Sequence, residues 1–325
     1  MNLAIASLNP AIERLLVVHG NSLGKVHTLI RDDTLAGGKG VNVARVFAQL
    51  STPEFAPSGV SGSGPYVPRL FGPLGGATGG LLRALLQEEG IDGDWIDILA
   101  STRTNEVIVD DEDPEAATVY NAVGPIVDKI ELAQIRAVAL STLANSSALV
   151  CTGSVPPGIP QGIYRELIFT ASTLGIPSLL DAHGEVLRIA AEATPTIIKV
   201  NRDELADLAG EVGAIKQMNA WLAAGTSAVI ITDGSEPTVA VTPDGWFETT
   251  PPRIKTLSAV GSGDAFTAGL LWSFLNRTPN WQAHLRIATA CGASNAADMR
   301  ARLSRIVRPA EIENSVSIRR IEQNI

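Results

Sequence analysis

From about Lys129 onward the chain alternates short apolar runs with helical segments, and this rhythm limits the fold more than any other feature. "SALVCTG", "IPSLLDA", "TIIKVN" and "AVIITDG" read as strands separated by helices. Such alternation implies an α/β fold, a mostly parallel sheet with helices on both faces. Earlier, "LAIASL" (Leu3 to Leu8) reads as a short buried strand stopped at Asn9-Pro10, and "VNVARVFAQL" (Val41 to Leu50) as a helix after a Gly-rich turn. The stretch from Ser51 to Gly76 is rich in Pro, Gly and Ser and is expected to be mostly loop with room for a short strand, and the C-terminal tail is uninformative. "LLRALLQEEG" ends a helix at Gly90, and "VAVTPDGWFE" is a late hairpin turning at Asp244-Gly245.

One stretch breaks the rhythm. "TRTNEVIVDDEDPEAATVYNA" alternates around an acidic, Pro-containing middle, which predicts a hairpin with Arg103, Asn105, Val107 and Val109 on one face. Together with the segment near 11–30, this hairpin (about 102–123) is expected to form a small separate sheet beside the main one. The chain of 325 residues is 45% hydrophobic, ample for a core. Its net charge of −9 argues against a general nucleic-acid binder, although a local cationic pocket for a small anion remains compatible with it. Two cysteines and four histidines show no metal-ligand spacing. The N-terminal "MNLAIASLNPAIERLLVV" has neither a basic start nor an uninterrupted apolar run, so the expectation is a cytoplasmic protein without a membrane span.

In open α/β sheets ligands bind beyond the carboxyl ends of the strands, so the Gly-rich turns opening helices there are the candidate sites. "AGGKGVNVA" (Ala36 to Ala44) is either a plain strand-to-helix turn or a backbone cradle for an anion, with Lys39 as point charge and Asn42 as hydrogen-bonding group. It is not a Walker A loop, because Gly40 follows Lys39 where Ser or Thr is required. "GSGDAF" (Gly261 to Phe266) lacks the sixth-position Gly of a dinucleotide fingerprint. It offers a row of N–H groups at a helix start with Asp264 in the first turn. Either Asp264 only starts the helix, or it takes a proton beside an anion hole. The second role suits phosphoryl transfer, whose loose transition state asks for little early proton removal. In "KVNRDEL", Asn201 and Glu204 either begin a helix or serve the water shell of Mg²⁺ on nucleotide phosphates.

Together these segments resemble the ribokinase-like sugar kinases, the PfkB family. "AGGKGVNVA" and "AVGSGDAFTAGL" look like that family's two motifs, with "CTGSVPPGIP", "LDAHGEVL", "KVNRDEL" and "IITDG" in order between them over nearly the whole chain. "LNPAIE" and "TRTN" look more like its hexose-phosphate branch. The resemblance implies one ribokinase-like three-layer α/β/α domain over 1–325, with a small β-sheet lid that often builds a homodimer. It implies an ATP- and Mg²⁺-dependent kinase of a ketohexose monophosphate, fructose 1-phosphate or fructose 6-phosphate, with tagatose 6-phosphate as a further candidate. Carried over, Asp264 is the base, with Gly261, Ser262 and Gly263 as the anion hole. Glu13, Gly38, Lys39, Asn42, Arg103 and Asn105 hold the sugar phosphate. Lys199, Asn201 and Glu204 serve Mg²⁺ and the phosphates, and Thr232 and Gly234 line the nucleotide site. Two departures stand out: Glu13 replaces the branch's usual Asp, and Pro237 its common Gly. The alternatives are a kinase of an unphosphorylated sugar or nucleoside, and a non-catalytic sugar- or nucleotide-binding homologue.

Overall fold

The computed structural model describes residues 1–22, 24–58, 66–113, 117–210, 213–276 and 280–322. Its strands are β1 (Asn2–Ala6), β2 (Ala11–Val18), β3 (Arg31–Gly37), β4 (Val67–Gly75), β5 (Asp92–Ile98), β6 (Arg103–Asp110) and β7 (Thr118–Tyr120). Seven more follow: β8 (Ser146–Thr152), β9 (Ser178–Asp181), β10 (Ile197–Asn201), β11 (Ala228–Asp233), β12 (Glu236–Thr242), β13 (Gly245–Thr250) and β14 (Ser317–Ile321). The helices that matter here are α1 (Lys39–Leu50), α2 (Gly76–Glu88), α3 (Lys129–Ala144), α4 (Ile163–Thr173), α5 (Gly184–Ala191), α6 (Arg202–Ala209), α7 (Ala214–Ala224), α8 (Ser262–Asn276) and α9 (Trp281–Ala296).

Ten strands form the main sheet in the order β14-β13-β12-β11-β10-β9-β8-β1-β4-β5. Neighbours from β5 across to β11 are parallel, and β12, β13 and β14 extend that edge antiparallel. Side-chain alternation explains why both faces are covered. In β1, Leu3 and Ile5 enter one apolar layer with residues of α1, α2, α8 and α9. Ala4 and Ala6 enter the opposite layer with residues of α3, α4, α5 and α7. β1 lies between β4 and β8, so the chain leaves it in both directions across the sheet. That reversal is where open α/β sheets leave a crevice at their strand ends.

A second sheet runs β3-β2-β6-β7. β6 and β7 are the antiparallel hairpin, and Asn105, Val107 and Val109 share its buried face. β2 pairs parallel with β6 and antiparallel with β3, so the third strand of this sheet lies at Arg31–Gly37, beyond the 11–30 segment read from sequence. "RDDTLAG" concealed it because its outward positions carry charge and only Ala36 and Gly37 are buried. The acidic turn at 114–116 and the Gly/Ser-rich 59–65 lie outside the described residues. β4 is the strand within the Pro/Gly/Ser-rich Ser51–Gly76 stretch, and β14 lies in the C-terminal tail. Among the described residues, no helix is long and apolar enough to cross a membrane.

The strand ends approach one another too closely for side chains. A Cβ on Gly72 of β4 would lie 2.0 Å from the Ser7 carbonyl oxygen just after β1. Backbone cannot yield there as a side chain can. Gly72→Ala is therefore expected to destabilise the fold by about 1–3 kcal/mol, the scale of core overpacking. The check is urea unfolding: the midpoint should fall with the slope unchanged.

Candidate active site

Beyond the carboxyl ends of β1, β8, β9, β10 and β11 lies a cleft of ≈ 1210 Å³, bordered on its other side by β2 and β6 of the small sheet. Glu13, Gly38, Lys39, Asn42, Arg103, Asn105, Lys199, Asn201, Thr232 and Gly234 all line it, as do Gly261, Ser262, Gly263 and Asp264. Residues separated by more than 200 positions thus meet in one space.

Asp264 sits in the first turn of α8 and is only 6% exposed. Its carboxylate does not cap its own helix. It accepts a hydrogen bond of 2.9 Å from Asn42 Nδ2 on α1. Burial pushes this carboxyl up to about 6, while Lys39 pulls it down and Asp181 pushes it up. Gly261, at φ +83°, takes the left-handed turn that starts α8. A Cβ there would meet the Ala301 Cβ at 2.6 Å, so glycine is required twice over. The first amides of a helix have no intrahelical acceptor. Ser262 N–H donates to the Ala259 carbonyl, whereas those of Gly263 and Asp264 have no partner among the described residues.

Behind this loop stands Asp181, at the end of β9 and fully buried. Lys39 Nζ lies 3.5 Å from one of its oxygens and Lys199 Nζ 3.2 Å from the other. Thr267 Oγ1 of α8 donates to it at 3.0 Å. Burial would raise this carboxyl, but the two ammonium groups outweigh that and hold it below its ordinary range. The same Asp181 charge, with Asp264 and Glu204 adding to it, raises Lys39 and keeps it a cation. The sequence reading passed over Asp181 inside "LDAHGEVL". A charge ending the apolar run "PSLLD" was the available signal, because a strand's carboxyl end faces the crevice.

Four predicted residues are partly committed elsewhere. Asn201 Oδ1 accepts from Glu204 N–H at 2.7 Å, and Glu204 Oε2 accepts from Asn201 N–H at 3.0 Å, a reciprocal cap that starts α6. Glu204 Oε1 stays clear of this cap, 3.9 Å from Lys39 Nζ. Arg103 donates twice to the Asn9 carbonyl, at 3.1 and 2.7 Å, and once to that of Ala122, at 2.7 Å. Two of its five N–H groups remain. Asn105 accepts from Ala122 N–H at 3.1 Å and so holds the same loop.

Glu13 faces the cleft from β2, and its carboxyl is raised by burial, with Arg45 and Arg103 opposing the rise. Thr232 Oγ1 donates to the Val200 carbonyl at 3.5 Å, and Gly234 turns between β11 and β12 at φ +55°. Pro237 disturbs nothing there: the β11–β12 register shifts between Ile231 and Asp233, and a proline at such a bulge costs no ladder bond.

Three buried polar atoms of cleft-lining residues, Asn9 Oδ1, Thr152 Oγ1 and Ser262 Oγ, have no hydrogen-bond partner among the described residues. No group of three or more His, Cys, Asp or Glu side chains is placed to hold a metal among the described residues.

Several known proteins resemble this chain over most of its length. A 1-phosphofructokinase of Xanthomonas campestris pv. campestris is 30% identical over 295 residues, 87% of each chain. A 1-phosphofructokinase of Borreliella burgdorferi is 28% identical, over 89% of this chain and 90% of that protein. The crystal structure of phosphofructokinase-2 from Escherichia coli in complex with potassium shares the fold, with a TM-score of 0.82 at 23% identity over 97% of this chain and 98% of that one. The family model described as "pfkB family carbohydrate kinase" matches residues 2–305, and the chain belongs to that family of kinases.

Proposed function

We propose that this kinase transfers the γ-phosphoryl group of ATP to a free hydroxyl of a ketohexose monophosphate, with fructose 1-phosphate the first candidate. The observation that carries the reading is the placement of Asp264. It is a buried carboxyl raised to about 6, beside partnerless helix-start amides and within a field of cations. A base with a pKa near the working pH can accept the hydroxyl proton as attack proceeds. The amides of Gly263 and Asp264 meet the charge that builds on the transferring phosphoryl oxygens. Lys39 lies beside the same space and stays protonated throughout, held so by Asp181. Among the described residues no acidic cluster is placed to hold a metal, so Mg²⁺ would come with the nucleotide's phosphates, with Glu204 Oε1 accepting from its waters and Asn201 Nδ2 donating to a phosphate oxygen. Mg²⁺ so bound neutralises phosphate charge. The names of the two curated relatives favour fructose 1-phosphate.

A second reading, a kinase of an unphosphorylated sugar, draws on Arg103. Three of its N–H groups already hold the carbonyls of Asn9 and Ala122, so it has a structural task without any phosphate. The two remaining N–H groups and the cleft lining favour the phosphate reading, because a guanidinium fork suits phosphate oxygens. We also assign a homodimer contact to the small sheet, where Val119 and Tyr120 of β7 stay exposed; light scattering should give twice the mass of 34.1 kDa.

ADP release with Mg-ATP should occur with fructose 1-phosphate or another ketohexose phosphate and not with fructose or ribose. Asp264→Asn should cost about 10²–10⁴ in kcat, the scale of a positioned base. A loss below about threefold removes that role. Because the base must be ionised, kcat/KM should fall as pH drops through about 6. That limb should vanish from the residual activity of Asp264→Asn, whereas one arising in the substrate's own phosphate would persist. Arg103→Ala should raise KM for the sugar phosphate about 10- to 100-fold, the worth of a charged hydrogen bond, and leave KM for ATP unchanged. An unchanged sugar KM would favour the second reading.

A further inference from the structure

Arg45 follows Asn42 by three positions on α1, which sets the two side chains on one face. Its side chain is 13% exposed, yet it carries a charge and five N–H groups that need acceptors. Each finds one. Nε and one Nη2 proton bind the two oxygens of Glu89, at 2.5 and 2.9 Å, just after α2. The second Nη2 proton goes to the Ala36 carbonyl of β3 at 2.5 Å. The two Nη1 protons go to Asn42 Oδ1 at 2.9 Å and to the Ala301 carbonyl at 3.1 Å. Ala301 is the residue whose Cβ closes against Gly261 at the start of α8.

Hydrogen-bond polarity gives this arrangement a consequence for the site. A guanidinium only donates, so the Asn42 side chain must turn its oxygen toward Arg45. Its NH2 group is then aimed the other way, at the Asp264 carboxylate 2.9 Å off, which only accepts when ionised. Reversed, the amide would set a nitrogen against the cation and an oxygen against the carboxylate. We propose that Arg45 is a positioning residue, which locks the Asn42 amide in the orientation that serves Asp264 and braces Ala301 behind the Gly261 turn. The inference rests on the assignment of Asp264 as base only for its catalytic meaning; the hydrogen-bond relay itself does not require it.

The test reads Asp264 directly. The full-length protein, labelled with ¹³C at aspartate carboxyls, is titrated by NMR, with the Asp264 signal identified by its loss in Asp264→Asn. Arg45→Met, Arg45→Lys, Asn42→Ala and the double Asn42→Ala/Arg45→Met are compared with the parent. Of the other charged groups around Asp264, Lys39 on α1, Asp181 on β9 and Lys199 on β10 are the same in all five proteins, and Glu13 on β2, whose carboxyl feels Arg45, keeps that neighbouring charge in Arg45→Lys. Losing the Asn42 bond removes stabilisation of the ionised carboxyl. Its titration should therefore move up by about one pH unit in Arg45→Met and in Asn42→Ala alike. The double variant should move no further, because both substitutions cut one chain.

Arg45→Lys keeps the charge without the fork. It should shift the signal by the same amount, and it carries the test if Arg45→Met does not fold. The acid limb of kcat/KM should follow the NMR shift, with kcat lowered about 10- to 100-fold, as for loss of a charged hydrogen bond. An unmoved Asp264 titration in the folded Arg45 variants, or shifts that add in the double variant, would overturn the proposal. Normal turnover by Asp264→Asn would instead remove the base assignment and leave the relay standing on the NMR result.

Discussion

The site depends on two lysines sharing one buried carboxylate. Asp181 is fully buried, and each of its oxygens faces an ammonium group, Lys39 from α1 and Lys199 from β10. Removing such charges from water costs several kcal/mol each, so neither Asp181 nor Lys199 could stay buried and ionised alone, and the half-buried Lys39 adds a second cation. Their mutual attraction obliges the ends of β9 and β10 and the start of α1 to converge. Thr267 adds α8 to the same point through Asp181. This triad therefore fixes the distance between the loop that begins α1 and the loop that begins α8. Asp264 and Asn42 meet because those loops do.

Two arginines, Arg45 behind Asn42 and Arg103 on the cleft wall, show how the number of committed donors separates tasks. Arg45 places all five N–H groups on protein acceptors and has nothing left for a ligand. Arg103 commits three and keeps two, at the wall of the cleft. Both residues are half-buried cations, and charge alone does not distinguish them.

Much of the main sheet was legible because its strands are buried on both faces and so appear as unbroken apolar runs, as in "LAIASL" and "AVIITDG". β3, β5 and β14 were not. Each carries charge at outward positions and lies in a sheet with at most one face buried, or at an edge, as the burial of "RDDTLAG", "DGDWIDI" and "SIRRI" records. The Asn201–Glu204 pair was legible as a helix start, and its reciprocal cap is plain in the geometry. Sequence could not say which oxygen of Glu204 the cap uses, since that depends on which one the backbone N–H reaches.

By itself the sequence determined the alternation of strands and helices, the two Gly-rich turns and the acidic residue at the mouth of α8. Those follow from local chemistry: periodicity, backbone freedom and the unpaired amides of a helix start. Only tertiary structure decided that Asp264 would be served by Asn42 from 222 positions away, that Asp181 would hold both lysines, and that Arg45 would stand behind Asn42. The physical reason is burial. A carboxylate or guanidinium exposed on a surface needs no particular partner. The same group withdrawn from water must have one, and the partner is whichever side chain the fold brings within about 3 Å of it.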